Sequence, residues 1–96
     1  MFIVLLKFAG NRGEAGTHLE GHKTWLKRGL DDGVFLLAGQ LRPDLGGAIL
    51  AHNTSRNDLE SRVQADPYVA QQVVSAEILE MSPARADARL SFLIES

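Results

Sequence analysis

Apolar residues fall in four short runs, divided by glycine-marked or helix-periodic stretches, and that alternation lays out the elements. Phe2-Ile3-Val4-Leu5-Leu6-Lys7-Phe8 is β-branched, aromatic and apolar on both faces up to Lys7, the pattern of a central, largely buried strand. Ala9 to Gly16 holds Gly10 and Gly13 beside Asn11 and Arg12, a loop composition. From His18 to Asp32 the residues Leu19, Leu26 and Leu30 form one stripe, while Lys23, Lys27, Arg28 and Asp31 lie elsewhere around the wheel. This predicts a helix with Thr17 as a candidate N-cap and Gly33 as its stop. Val34 to Ala38 is a second strand, Pro43-Asp44-Leu45-Gly46-Gly47 a turn, and Ala48 to His52 a third strand, together an antiparallel hairpin. Thr54 or Ser55 can cap a second helix over Arg56 to Ala65, in which Leu59 and Val63 lie one turn apart. Asp66-Pro67 should break or restart it. Val73 to Met81 is a fourth strand, partly exposed through Glu77 and Glu80, and Ser82-Pro83 ends it.

The order β-α-β-β-α-β is the ferredoxin-like α+β pattern, an antiparallel sheet with both helices on one face. Its other face is bare. Strands apolar on both faces need that face covered, which predicts a homodimer with two sheets packed around a two-fold axis. A domain core over residues 1–83 accounts for the pattern. The tail from 84 to 96 carries Leu90, Phe92, Leu93 and Ile94, which a solvated terminus does not need, so it is expected to dock on its own domain or on a partner chain.

Composition then narrows the function classes. The 96 residues carry a net charge of −2, so there is no basic excess for nucleic acid or anionic lipid. No cysteine is present, which excludes disulfides, thiolate metal sites and a cysteine nucleophile and suits a cytoplasmic protein. The apolar start carries Lys7 and is too short for a signal-peptide core or a membrane span, so no membrane role is expected.

The candidate chemistry lies in His22 and Asp66. His22 falls between Trp25 and Leu26 on the wheel, inside the stripe that should face the sheet. A buried histidine needs partners for its ring nitrogens. A carboxylate such as Asp66 can fix its tautomer and stabilise the imidazolium, and such a pair can serve as general base and then general acid. The alternatives are a core histidine bonded to a backbone carbonyl or to water, and an Asp66 that only ends a helix before proline. His18 and His22 have metal-ligand spacing, but no glutamate of the zinc-protease motif and no third ligand accompany them, so no metal is assigned. His52 is expected to face solvent. Gly39, Gly46 and Gly47 match no phosphate-loop spacing and suit turns or bulges, so no nucleotide cofactor is implied. Ser75 has no histidine-based activation, and Ser55 is explained as a cap.

Several segments in order carry a resemblance: Met1-Phe2-Ile3-Val4-Leu5-Leu6, His22-x-x-Trp25-Leu26, Asp32 to Gly39, Gly46-Gly47-Ala48-Ile49-Leu50, Asp66-Pro67-Tyr68-Val69 and Glu77 to Pro83. Together they resemble the YCII-related (YciI-like) family over residues 1–83. Ala38-Gly39-Gln40 departs from the Ser-Gly-Pro often found there. The resemblance implies a dimeric α/β-barrel of ferredoxin-like protomers whose pocket holds a His/Asp pair, here His22 and Asp66. A characterised type within that family eliminates chloride from a chlorinated hydroxyquinol. The expectation is a small-molecule enzyme of lyase or isomerase type, with His22 moving a proton, Asp66 orienting it and no metal or organic cofactor. The alternative is a non-catalytic ligand-binding or dimerisation domain on the same fold.

Overall fold

The computed structural model describes residues 1–94. Four strands, β1 (Phe2–Phe8), β2 (Phe35–Leu41), β3 (Gly46–Ala51) and β4 (Val74–Glu80), form one antiparallel sheet in the order β2-β3-β1-β4. Helices α1 (Ala15–Asp31), α2 (Arg56–Gln64) and the short α3 (Pro67–Ala70) complete the α+β fold. β1 is interior because its residues pair on both sides, Val4 with Ile49 of β3 and with Ile78 of β4.

The two-residue period of the strands separates two faces. Phe2, Val4 and Leu6 of β1, Phe35 of β2 and Ile49 and Ala51 of β3 are buried with Trp25 of α1 and Leu59 and Val63 of α2. Each fully buried large side chain contributes about 1.5–3 kcal/mol by leaving water. On the other face Ile3 lies between Leu50 and Leu79, and Leu50 pairs with Leu37, so a row Leu37–Leu50–Ile3–Leu79 crosses all four strands. Leu37 is 61% exposed and Leu79 42%. A register slip between Phe35 and Leu37 makes this row reach β2: Phe35 stays opposite Ala51 on the helix face while Leu37 turns outward opposite Leu50.

Boundaries differ from the sequence expectation where distant contacts act. Residues 9–16 are not all loop, because Ala9, Asn11 and the Asn11 side chain donate to the carbonyls of Val73, Gln72 and Gln71, which anchors the segment. A 3₁₀ turn (Arg12–Glu14) leads directly into α1 at Ala15, and Thr17 sits inside the first turn, donating to Glu14 rather than capping. β2 runs on to Leu41, and Gly46 and Gly47 belong to the β3 ladder rather than to the turn. Gly46 has φ 126°, and a Cβ there would overlap the Leu6 carbonyl, so the ladder at that point requires glycine.

Ser55, not Thr54, caps α2 by accepting from the Asp58 N–H. Asp66-Pro67 restarts the chain as α3, with Asp66 accepting from the Tyr68 N–H. Leu30 is exposed rather than buried, because Gly29 lies against the Phe35 ring and turns its neighbour outward. In the tail a 3₁₀ turn (Ala88–Leu93) sets Phe92 edge-on to a half-buried His52, 5.7 Å between centroids, so His52 does not simply face solvent. Leu90, Phe92 and Ile94 remain exposed, and residues 95 and 96 of the tail lie outside the described ones. Arg56 of α2 donates to the Ile78 carbonyl of edge strand β4. Among the described residues no helix is long and apolar enough to cross a membrane.

Candidate active site

His22 sits midway along α1, and Asp66 is the N-cap of α3. The two helices lie close at Gly21: a Cβ there would lie 3.0 Å from Pro67 Cγ, so a larger residue would require α3 to give by a few tenths of an ångström. The approach sets His22 Nδ1 2.9 Å from Asp66 Oδ1 and 3.0 Å from Oδ2. Asp66 Oδ1 also accepts from the Tyr68 N–H at 3.0 Å. The Asp66 side chain is fully buried, while that of His22 is 14% exposed.

A carboxylate only accepts, so Nδ1 is the protonated nitrogen and donates to Asp66. In the neutral form of the ring Nε2 then carries the lone pair, and it has no hydrogen-bond partner among the described residues. The small remaining exposure of the ring opens on a cavity of about 350 Å³ between α1 and the β2–β3 half of the sheet. Leu6, Phe8, Leu19, Leu26 and Ile49 make most of its wall apolar, with Lys23 and Gln40 as polar groups. The space exists because Ala38 and Gly47, on the helix face opposite α1, are too small to fill it. Phe8 on its wall is covered in turn by Arg12, which stacks 4.0 Å over that ring and pairs with Asp44 in the β2–β3 turn.

Tyr68 was not singled out for a role by the sequence, yet its ring lies parallel to the His22 ring, 4.0 Å away with 5° between planes. Its hydroxyl donates to the Ala15 carbonyl at 3.1 Å. Burial, and after it the Asp66 charge, pushes the Tyr68 phenol above its ordinary value, which keeps the hydroxyl protonated and donating to Ala15. The signal available in the sequence was its place two residues after an Asp-Pro N-cap, which directs its N–H back to the same carboxylate. Trp25 stacks less closely on His22, at 5.8 Å and 26°, and its indole N–H donates to the Arg62 carbonyl of α2.

The other candidates are elsewhere. His18 is half-buried and takes no part in the Asp66 contact. Ser75 is exposed on β4 and Ser55 is a cap. Gly39, Gly46 and Gly47 border the cavity through their backbone. Among the described residues no three His, Cys, Asp or Glu side chains are grouped to hold a metal ion. A larger open groove of about 820 Å³ runs between α2 and β4, but Arg56 and Glu60 on its wall pair with each other at 3.2 Å, and among the described residues no buried titratable group lines it. The His22 cavity is smaller and more apolar, with the imidazole on its wall, the usual form of a small-molecule site.

No family model and no curated protein sequence matches the chain. A solved structure does: 5-chloro-2-hydroxyhydroquinone dehydrochlorinase from Burkholderia phenoliruptrix, in complex with 2,5-dihydroxybenzoquinone, superposes with a TM-score of 0.67 over 84% of this chain and 93% of that one, at 12% identity. The chain thus shares the α+β fold of a dehydrochlorinase.

Proposed function

We propose that the His22 cavity is the active site of a small-molecule enzyme of lyase or isomerase type, related to the YCII family. The observation that carries this reading is the pairing of His22 Nδ1 with both oxygens of a fully buried Asp66, which leaves Nε2 free beside an apolar cavity. In the proposed reaction Nε2 takes a proton from a carbon or hydroxyl of the bound substrate. Asp66 holds the resulting imidazolium in place. The imidazolium then returns the proton at another atom of the substrate, giving an isomer, or keeps it while a leaving group departs with its bonding electrons, giving an elimination product. The fold shared with a dehydrochlorinase supports the second course, and a hydroxylated ring compound is the substrate class it suggests. A cavity of about 350 Å³ is of the size that takes such a ligand.

A second copy belongs to the same proposal. The row Leu37–Leu50–Ile3–Leu79 is an apolar surface that water does not favour, and a sheet packed on a sheet covers it.

The test is turnover of hydroxylated and chlorinated ring compounds and small hydroxy acids, followed by mass spectrometry in the parent, His22→Ala and Asp66→Asn. Turnover that falls by about 10²–10⁴ in His22→Ala, and less in Asp66→Asn, is expected. No turnover of any compound, or equal turnover in His22→Ala, sinks the proposal. A ligand-induced rise in melting temperature with no chemical change favours the ligand-binding domain instead.

A further inference from the structure

We propose that Tyr68 is a positioning residue for His22: its ring lies flat on the imidazole and holds it in the plane where Nδ1 meets Asp66 and Nε2 meets the cavity. This rests on the reading of His22 as the proton carrier.

The side chain of His22 has freedom about its Cβ–Cγ bond that Asp66 alone restrains poorly. A hydrogen bond fixes where one atom points but lets the ring swing about the Nδ1–H···O axis, carrying Nε2 through an arc. A parallel ring at 4.0 Å removes that motion, because any tilt drives an imidazole edge into the face beside it. Stacking restrains a ring only if the other ring is itself fixed, and Tyr68 is held at three points. Its N–H donates to Asp66 Oδ1 at 3.0 Å, its carbonyl accepts from the Val73 N–H at 2.9 Å, and its hydroxyl donates to the Ala15 carbonyl at 3.1 Å. The Ala15 bond ties the far end of the ring to the start of the helix that carries His22. The Tyr68 N–H and the His22 Nδ1–H converge on the same carboxylate oxygen, so Tyr68 fixes the acceptor as well as the ring plane. The two backbone ties fix where the ring starts and are kept by a phenylalanine at this position, and the hydroxyl tie adds to them.

The experiment uses Tyr68→Phe, which keeps the flat ring without the hydroxyl, and Tyr68→Leu and Tyr68→Met, which fill space without a ring. The His22 tautomer and the hydrogen exchange of its Nδ1–H are read by nitrogen-15 NMR, with Asp66→Asn as reference and thermal melting to establish that each variant is folded. In the parent, His22 is expected as the Nδ1–H tautomer with a slowly exchanging proton. Tyr68→Phe should keep both. In whichever of the leucine and methionine variants folds, exchange should be roughly three- to tenfold faster and the tautomer mixed, the range that an aromatic pair's worth converts to.

Folded Leu or Met variants with the parent tautomer and exchange rate overturn the proposal. So does a folded Tyr68→Phe that behaves like them, since the hydroxyl tie and not the stack would then be at work. If neither ringless variant folds, the decision falls to Tyr68→Phe and to the exchange rate in the parent: fast exchange in either overturns the proposal, and slow exchange in both supports it. Failure of the underlying reading looks different, as parent NMR without an Nδ1–H tautomer, or as unchanged turnover in His22→Ala.

Discussion

Burial and the neighbouring Asp66 charge raise the Tyr68 phenol above 10.0 in the folded chain, and that has a pH signature. The folded state keeps a proton that the unfolded chain releases. The stability contributed is therefore whole below about pH 10 and is lost as pH rises toward the higher folded value. Phenylalanine has no such proton. Melting temperature measured between neutral pH and about pH 11 should fall more steeply for the parent than for Tyr68→Phe, and parallel curves would refute the assignment. At this scale His22 and Asp66 were legible one by one, as a histidine on an inward stripe and an Asp-Pro helix break, while their pairing came from the family resemblance, since two local positions do not say that α1 and α3 meet. The Tyr68 stack was not legible, since ring-to-ring geometry depends on how α1 and α3 approach, and the close contact of Gly21 with Pro67 that accompanies it spans more than forty residues of chain.

Element packing shows the same dependence at Gly29, where α1 crosses β2. Alanine at an exposed helical site gains about 1 kcal/mol over glycine. Here its Cβ would overlap the Phe35 ring, whose own position is fixed by pairing with Ala51 and by edge contact with Trp25 at 5.0 Å. Overpacking of that kind costs about 1–3 kcal/mol, so Gly29→Ala should be destabilising by denaturant unfolding despite its better helix propensity. A neutral or stabilised variant would show that Phe35 yields easily. The apolar runs made all four strands legible, and Ser55, Leu59 and Val63 made α2 so. The start of α1 was hidden because glycines in 9–16 argued for a loop, while the bonds from Asn11 to Gln71 and Gln72 that order the segment span about sixty residues of chain. Gly46 and Gly47 read as a turn for a related reason, since composition does not tell a glycine that bends the chain from one required by a carbonyl beside it.

For the whole molecule the sheet's bare face follows from the sequence, because strands apolar on both sides and helices enough for only one leave a remainder. The identity of the residues on it needed the register slip in β2, which no alternation in Phe35-Leu36-Leu37-Ala38 discloses. If a second copy covers the row, light scattering at micromolar concentration gives twice the chain mass, and Leu50→Lys, which puts a charge at the centre of the row, gives a monomer. A parent that is already monomeric removes the dimer from the proposal and leaves the protomer fold untouched.

The contact from Arg56 to Ile78 bears on how such copies can meet. β4 ends the sheet, and a carbonyl on that edge already has its donor in a side chain reaching over from α2. A strand approaching from solvent would have to dislodge the guanidinium before it could add itself there. Growth of the sheet sideways into a ribbon of molecules is thereby discouraged at β4, and the exposed leucines can be shared face to face without opening a route to fibres along that edge.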